Sequence, residues 1–115
     1  MSSFKDLIVW EKSMDLVVET YKLIDFFPAA EKFALSEQLR RCSISIPSNI
    51  AEGAGRKSKK EFVQFLHISL GSLYELQTQI DIASRLHYIT KEDIPYSSFL
   101  EIEKMINSLI TSLKR

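Results

Sequence analysis

One cysteine, three glycines and three prolines are all that 115 residues contain. Cys42 therefore has no partner for an internal disulfide. So few turn-formers cannot serve a many-stranded β protein, which needs a turn signal about every ten residues. Net charge is missing as well, with 15 basic and 15 acidic side chains. No apolar run approaches the ~18 residues that would cross a bilayer. No basic start leads into a short apolar stretch of the secretory kind, so the expected compartment is the cytoplasm. With only two histidines, His67 and His87, metal chemistry has few ligands to work with.

What is present is an ordinary globular balance, 45% hydrophobic and 26% charged. A chain this long buries roughly two-thirds of its unfolded surface, enough for a core without staples. Its apolar residues recur at helical spacing in four stretches. Leu7, Trp10, Met14, Val17, Tyr21 and Ile24 follow one another at alternating steps of three and four, predicting one core stripe. Pro28 ends that helix after Phe26 and Phe27. Leu35, Leu39, Cys42, Ile46 and Ile50 predict the seam of a second helix, kinked at Pro47 because proline lacks the N–H owed to Ser43. Gly53 and Gly55 read as its stop, in the left-handed cap conformation.

The third helix opens on Ser58 and Glu61, a capping box in which the carboxylate returns to the residue 58 N–H. Phe62, Leu66, Ser69, Leu73, Leu76, Ile80 and Ala83 form its stripe. The fourth, with Thr90 or Asp93 as N-cap, carries Phe99, Ile102, Ile106, Leu109 and Leu113, and Lys114 and Arg115 suit the negative end of its dipole. The prediction is one all-α domain over 1–115, an antiparallel up-down-up-down four-helix bundle. Its helices span roughly 7–26, 34–54, 58–86 and 94–113.

Bundles of this kind can hold a carboxylate-bridged metal pair, which requires Glu-x-x-His on two helices. Gln64 and Ser84 stand where those glutamates belong, three residues before His67 and His87. Zinc-ligand spacings, phosphate-binding loops and nucleophile-elbow motifs are likewise missing. His67 is expected on the flank of the third helix and His87 at its end. Cys42, set in an apolar seam, reads as a packed, inert thiol. No enzyme and no cofactor is expected.

Two features of the second and third helices exceed a generic bundle. A polar line of Arg41, Ser45, Ser48, Asn49, Glu52 and Arg56 runs beside the core seam, opposite the small-residue line Ile44, Pro47, Ala51 and Ala54. Serine and asparagine at such spacing serve either an internal hydrogen-bond network or a subunit contact. The internal version ties Glu52 to Arg56 or Arg41. Gly71, mid-helix, costs about 1 kcal/mol against alanine. Its expected reason is close approach of a neighbouring helix, across which Glu75 could pair with a base such as Arg41.

Charge is also uneven. Arg40, Arg41, Arg56, Lys57, Lys59 and Lys60 face the single acid Glu52 between residues 40 and 60, a net +5 inside a neutral chain. A polyanion-binding surface has that look, and so does a solvated helix junction.

The run Gln38-Leu39-Arg40-Arg41, then Ser43-Ile44-Ser45-Ile46-Pro47-Ser48-Asn49-Ile50-Ala51-Glu52-Gly53, then Gly55-Arg56, resembles the bacterial family of four-helix proteins encoded in 23S ribosomal RNA intervening sequences. Accessory proteins of diversity-generating retroelements look similar. Trp10, Tyr21, Phe27-Pro28, Glu31, Phe62, Phe65, Leu66, Gly71-Ser72-Leu73 and Glu75 extend the resemblance across most of the chain. It implies a homopentameric barrel of bundles, without catalysis, whose basic surface engages RNA or DNA. Carried onto this sequence, Arg40, Arg41, Arg56, Lys57, Lys59 and Lys60 become the phosphate contacts, neutralising charge without reading bases. Ser45, Ser48, Asn49, Glu52, Gly71 and Glu75 become the residues of a subunit interface or structural network. The competing reading is a protein–protein scaffold or adaptor. A small-molecule or metal enzyme is the third.

Overall fold

The computed structural model describes residues 3–115. Four α-helices dominate it: α1 (Ile8–Ile24), α2 (Leu35–Ala54), α3 (Lys59–Arg85) and α4 (Tyr96–Leu113). Short 3₁₀ turns at Phe4–Asp6, Ala29–Glu31 and Lys91–Asp93 precede α1, α2 and α4. Among the described residues there is no strand. At 1.5 Å per residue α3 is about 40 Å long, nearly the whole 44 Å long axis.

Each helix packs against its sequence neighbours, and α1 closes the ring against α4. Cross-helix pairs run in opposite sequence order at the α2–α3 and α3–α4 seams. Ser69 donates to the Ile46 carbonyl while Ser72 meets Ser45 between α2 and α3. Tyr74 reaches Glu103 between α3 and α4, where Val63 also lines one groove with Leu113. Antiparallel neighbours at these seams fit the expected up-down-up-down bundle.

The core contains Leu16, Leu39, Ile46, Ile50, Leu66, Leu73, Leu76, Ile80, Ile102 and Ile106, all fully buried. For α2, α3 and α4 this follows the predicted stripes, with Leu35, Phe62, Leu109 and Leu113 packed against the core margin rather than inside it. For α1 the prediction is wrong by a rotation. Its buried line is Val9, Ser13, Leu16, Thr20 and Leu23. Met14 and Tyr21 are exposed instead. The reason lies in Ser13 and Thr20, whose hydroxyls donate to the carbonyls of Val9 and Leu16 at 2.7 and 2.8 Å. A hydroxyl satisfied within its own helix can enter the core without an unpaired donor.

Helix ends differ from expectation in chemistry more than in place. Helix α2 is continuous through Pro47. Neither Gly53 nor Gly55 takes a positive φ; Gly55 caps α2 in the right-handed region. The left-handed residue is His87, at φ 65°. It follows the last turn of α3 as its N–H bonds to Ser84 and that of Tyr88 to Ala83, a Schellman arrangement built without glycine. Ser58 accepts from the Glu61 N–H, but the Glu61 carboxylate takes the Ser58 hydroxyl rather than the residue 58 amide. Thr90 and Asp93 cap the 3₁₀ turn Lys91–Asp93, and α4 begins only after Pro95.

Glycine does govern close approach, though not where the sequence reading put it. A Cβ on Gly71 would meet nothing within 4 Å, so no helix of this chain covers that position. A Cβ on Gly53 would lie 2.7 Å from the Phe65 Cβ and 2.9 Å from Phe62 Cδ1. Absence of a side chain there lets the end of α2 sit on the start of α3. Gly53→Ala should therefore destabilise the fold by about 1–3 kcal/mol through overpacking. Gly71→Ala, placed in open space, should stabilise it by about 0.5–1 kcal/mol. Urea unfolding of the two variants measures the contrast.

Candidate nucleic-acid interface

The polar line of α2 is drawn into an internal network against α3. Ser45 Oγ and Ser72 Oγ lie 2.8 Å apart, and the Asn49 amide donates to both the carbonyl and the hydroxyl of Ser45. Glu75 does not pair with Arg41. Its carboxylate accepts from the Cys42 thiol at 3.2 Å, while the same sulfur lies 3.0 Å from the Ser72 carbonyl oxygen. Glu52 pairs with Arg56 at 2.8 Å on the α2 surface. Ser48 and Gly71 stay exposed and outside this network.

The Cys42 thiol is pushed up to about 12, by burial first and then by the hydrogen bond and charge of Glu75. A thiol so held is neither a nucleophile nor a metal ligand near neutral pH. A raised folded-state value stabilises the protonated native form. That contribution is complete below about 9, the ordinary value, and is lost as pH rises toward 12. Iodoacetamide at pH 8.5 should leave native Cys42 unmodified and label it in urea. The wild-type stability advantage over Cys42→Ala should shrink between pH 9 and 11.

The six cations predicted to act together separate into two groups. Arg40 and Arg41 sit in the first turns of α2. Fourteen residue steps of helix, about 21 Å at 1.5 Å per residue, separate Arg40 from Ala54. Arg40 is committed locally, donating to the Lys32 carbonyl at 3.0 Å with Glu37 at 3.8 Å. Arg41 is exposed, with no acid partner among the described residues.

The second group is compact. Arg56 lies over the Phe65 ring, 4.9 Å from its centroid, while paired with Glu52. Lys57, Lys59 and Lys60 are exposed and enter no ion pair among the described residues. Helix α3 begins at Lys59 because Ser58 caps it, so the turn after α2 delivers these cations together at one end of the bundle. The antiparallel order brings the end of α4 to the same place, where Lys114 lines a groove with Lys59 and Lys60. In sequence, Lys114 reads only as a partner of its own helix dipole. Its signal was available only through topology, since it lies more than fifty residues from Lys60.

The opposite end is tied together by apolar and acidic groups. The Phe27 and Tyr88 rings meet at 5.5 Å, and the Tyr88 hydroxyl donates to Glu31 at 2.7 Å, which raises its pKa. Between the ends, the small residues of α2 form one wall of a shallow apolar groove. Trp10, Met14 and Val17 from α1 meet Ile44, Pro47, Ser48 and Ala51 there. Trp10, Met14 and Val17 of the stripe predicted for the core thus form the other wall of this groove.

These features define a class: a four-helix bundle with a cationic end. The chain belongs to the family of 23S rRNA-intervening sequence proteins, which it matches over residues 5–108. It is also similar to a crystal structure of a protein of unknown function from the S23 ribosomal protein family of Bacteroides thetaiotaomicron. That likeness has a TM-score of 0.83 at 31% identity and covers 93% of this chain and 98% of the other. No curated protein matches the chain. No helix of the described residues is long and apolar enough to cross a membrane.

Proposed function

We propose that this protein is a non-catalytic, oligomeric bundle that binds RNA or DNA through its cationic end, by phosphate neutralisation rather than base-pattern recognition. The observation that carries the reading is the convergence of Lys57, Lys59, Lys60 and Lys114 at one end of a rigid scaffold, exposed and without acid partners among the described residues. Phosphate contacts of this kind release counterions and give affinity that falls steeply with salt. Arg56 contributes less, because Glu52 already offsets its charge. Arg40 is largely spent on Lys32 and Glu37. The family name adds a ribosomal-RNA setting for the gene and agrees with a polyanion partner.

A non-catalytic role is supported by the state of Cys42, whose neighbour Glu75 accepts its proton's hydrogen bond without activating it.

Affinity for a duplex oligonucleotide should fall linearly on a plot of log K against log salt. Replacing Lys57, Lys59, Lys60 and Lys114 by Ala should reduce the slope by about 3.6, near 0.9 for each lost phosphate contact. Arg40→Ala with Arg41→Ala should leave the slope nearly unchanged. Absence of binding at low salt, or a fourfold variant that binds like the parent, would refute the reading.

Self-association is supported by the α1–α2 groove, together with Met14 and Ile44, which line it at 40% and 43% exposure. Patches of that kind on a small protein mark interaction surfaces. The same patch is what favours the scaffold reading, in which another protein occupies it. Light scattering separates the two: a multiple of 13.3 kDa for the pure protein, reduced by Ile44→Asp, supports self-association, whereas one chain mass supports the scaffold.

A further inference from the structure

The groove between the start of α3 and the end of α4 combines three chemistries at one place. Its floor is aliphatic, from Val63 and Leu113, both half-buried against the core. Its rim carries the ammonium groups of Lys59, Lys60 and Lys114. Gln64 and His67 complete the lining, both exposed. On α3 the residues 60, 63, 64 and 67 share one helical face, so a single straight wall presents cation, apolar surface and hydrogen-bonding groups in series. The groove encloses about 440 Å³, within the size range of small-ligand pockets. No carboxylate lines it.

A purely electrostatic phosphate surface has no use for an apolar floor with a carboxamide and an imidazole beside it. A nucleotide does. Its phosphate matches the lysine rim, the face of its base covers the Val63 and Leu113 side chains, and the edge of the base meets groups able to donate and accept. Gln64 offers both an amide donor and a carbonyl acceptor, and His67 offers a ring nitrogen of either kind. A base within a duplex stays stacked and cannot reach the floor of a concave groove. An unstacked base can, and single-stranded nucleic acids are recognised by this combination of charge, base-face contact and edge hydrogen bonding.

We infer that the α3–α4 groove is a nucleotide pocket that makes this protein prefer single-stranded over duplex nucleic acid, with Gln64 and His67 contacting the base. The inference rests on the nucleic-acid reading above and narrows its ligand class. Binding then has two separable parts, a salt-dependent part from the lysines and a salt-independent part from the floor and the two polar side chains.

Fluorescence anisotropy of the full chain tests this with a labelled poly-U oligonucleotide and a labelled hairpin duplex of equal phosphate count, its strands joined by a polyether linker so that it has no unpaired base. The wild type should bind the single strand at least fivefold tighter than the hairpin. Gln64→Ala with His67→Ala, both surface changes, should weaken single-strand binding three- to tenfold with the salt slope intact, and leave hairpin binding unchanged. Lys59→Ala with Lys60→Ala and Lys114→Ala should instead weaken both and flatten both slopes. Uridine 5′-monophosphate distinguishes a free nucleotide from a strand: amide shifts confined to residues 59–67 and 113–114 locate the nucleotide unit itself. Equal affinity for strand and hairpin, or a Gln64/His67 variant that binds like the parent, overturns the pocket while leaving charge-driven binding intact. Failure of every oligonucleotide to bind at low salt overturns the nucleic-acid reading and the pocket with it.

Discussion

The contact between α2 and α3 is the most extensive in the molecule, and the placement of charge follows from it. Because Gly53 has no side chain, the end of α2 can rest on Phe62 and Phe65 at the start of α3. That approach brings the turn between them tight against the bundle and directs Arg56, Lys57, Lys59 and Lys60 to its end. Farther along the seam, Ser69 donates to the carbonyl of Ile46, one residue before Pro47. Ser45, Asn49, Ser72, Glu75 and Cys42 then satisfy one another near the surface. A polar seam with its partners in place fixes register, since sliding either helix by one turn would leave buried donors and acceptors unpaired.

A stiff scaffold of this kind lets unlike surfaces coexist. The cationic end keeps its lysines unpaired, although like charges repel, because capping at Ser58 and core packing hold the helix start in place. The far end uses an aromatic pair and a tyrosine–carboxylate hydrogen bond to join the two loops there. Half-exposed apolar residues of α1 and α2 form a third surface.

Glycine and serine were the residues whose roles were hardest to read in sequence. Gly71, with a costly helical position, looked like the site of close approach, and Gly53 looked like a helix stop; their surroundings reverse the assignment. The stripe through Leu7, Trp10, Met14, Val17, Tyr21 and Ile24 is wholly apolar, whereas the buried line of α1 includes Ser13 and Thr20. A period of 3.6 residues identifies a helix well, but two apolar lines about one residue apart differ in pattern by only a few side chains. Which line turns inward depends on hydroxyl hydrogen bonds that composition does not display.

Helix number, type and approximate limits, the α2–α4 core lines and the family were legible in the residues themselves, because periodicity, capping signals and a specific motif are local properties. The Glu52–Arg56 pair was legible for the same reason, being one helical turn apart. Tertiary structure alone decided the face of α1 that is buried, the partner of Glu75, the division of the six cations and the arrival of Lys114 beside Lys59 and Lys60. These depend on which helix ends meet in space. Local sequence constrains a helix, but only the packing of four of them sets distances between residues fifty positions apart.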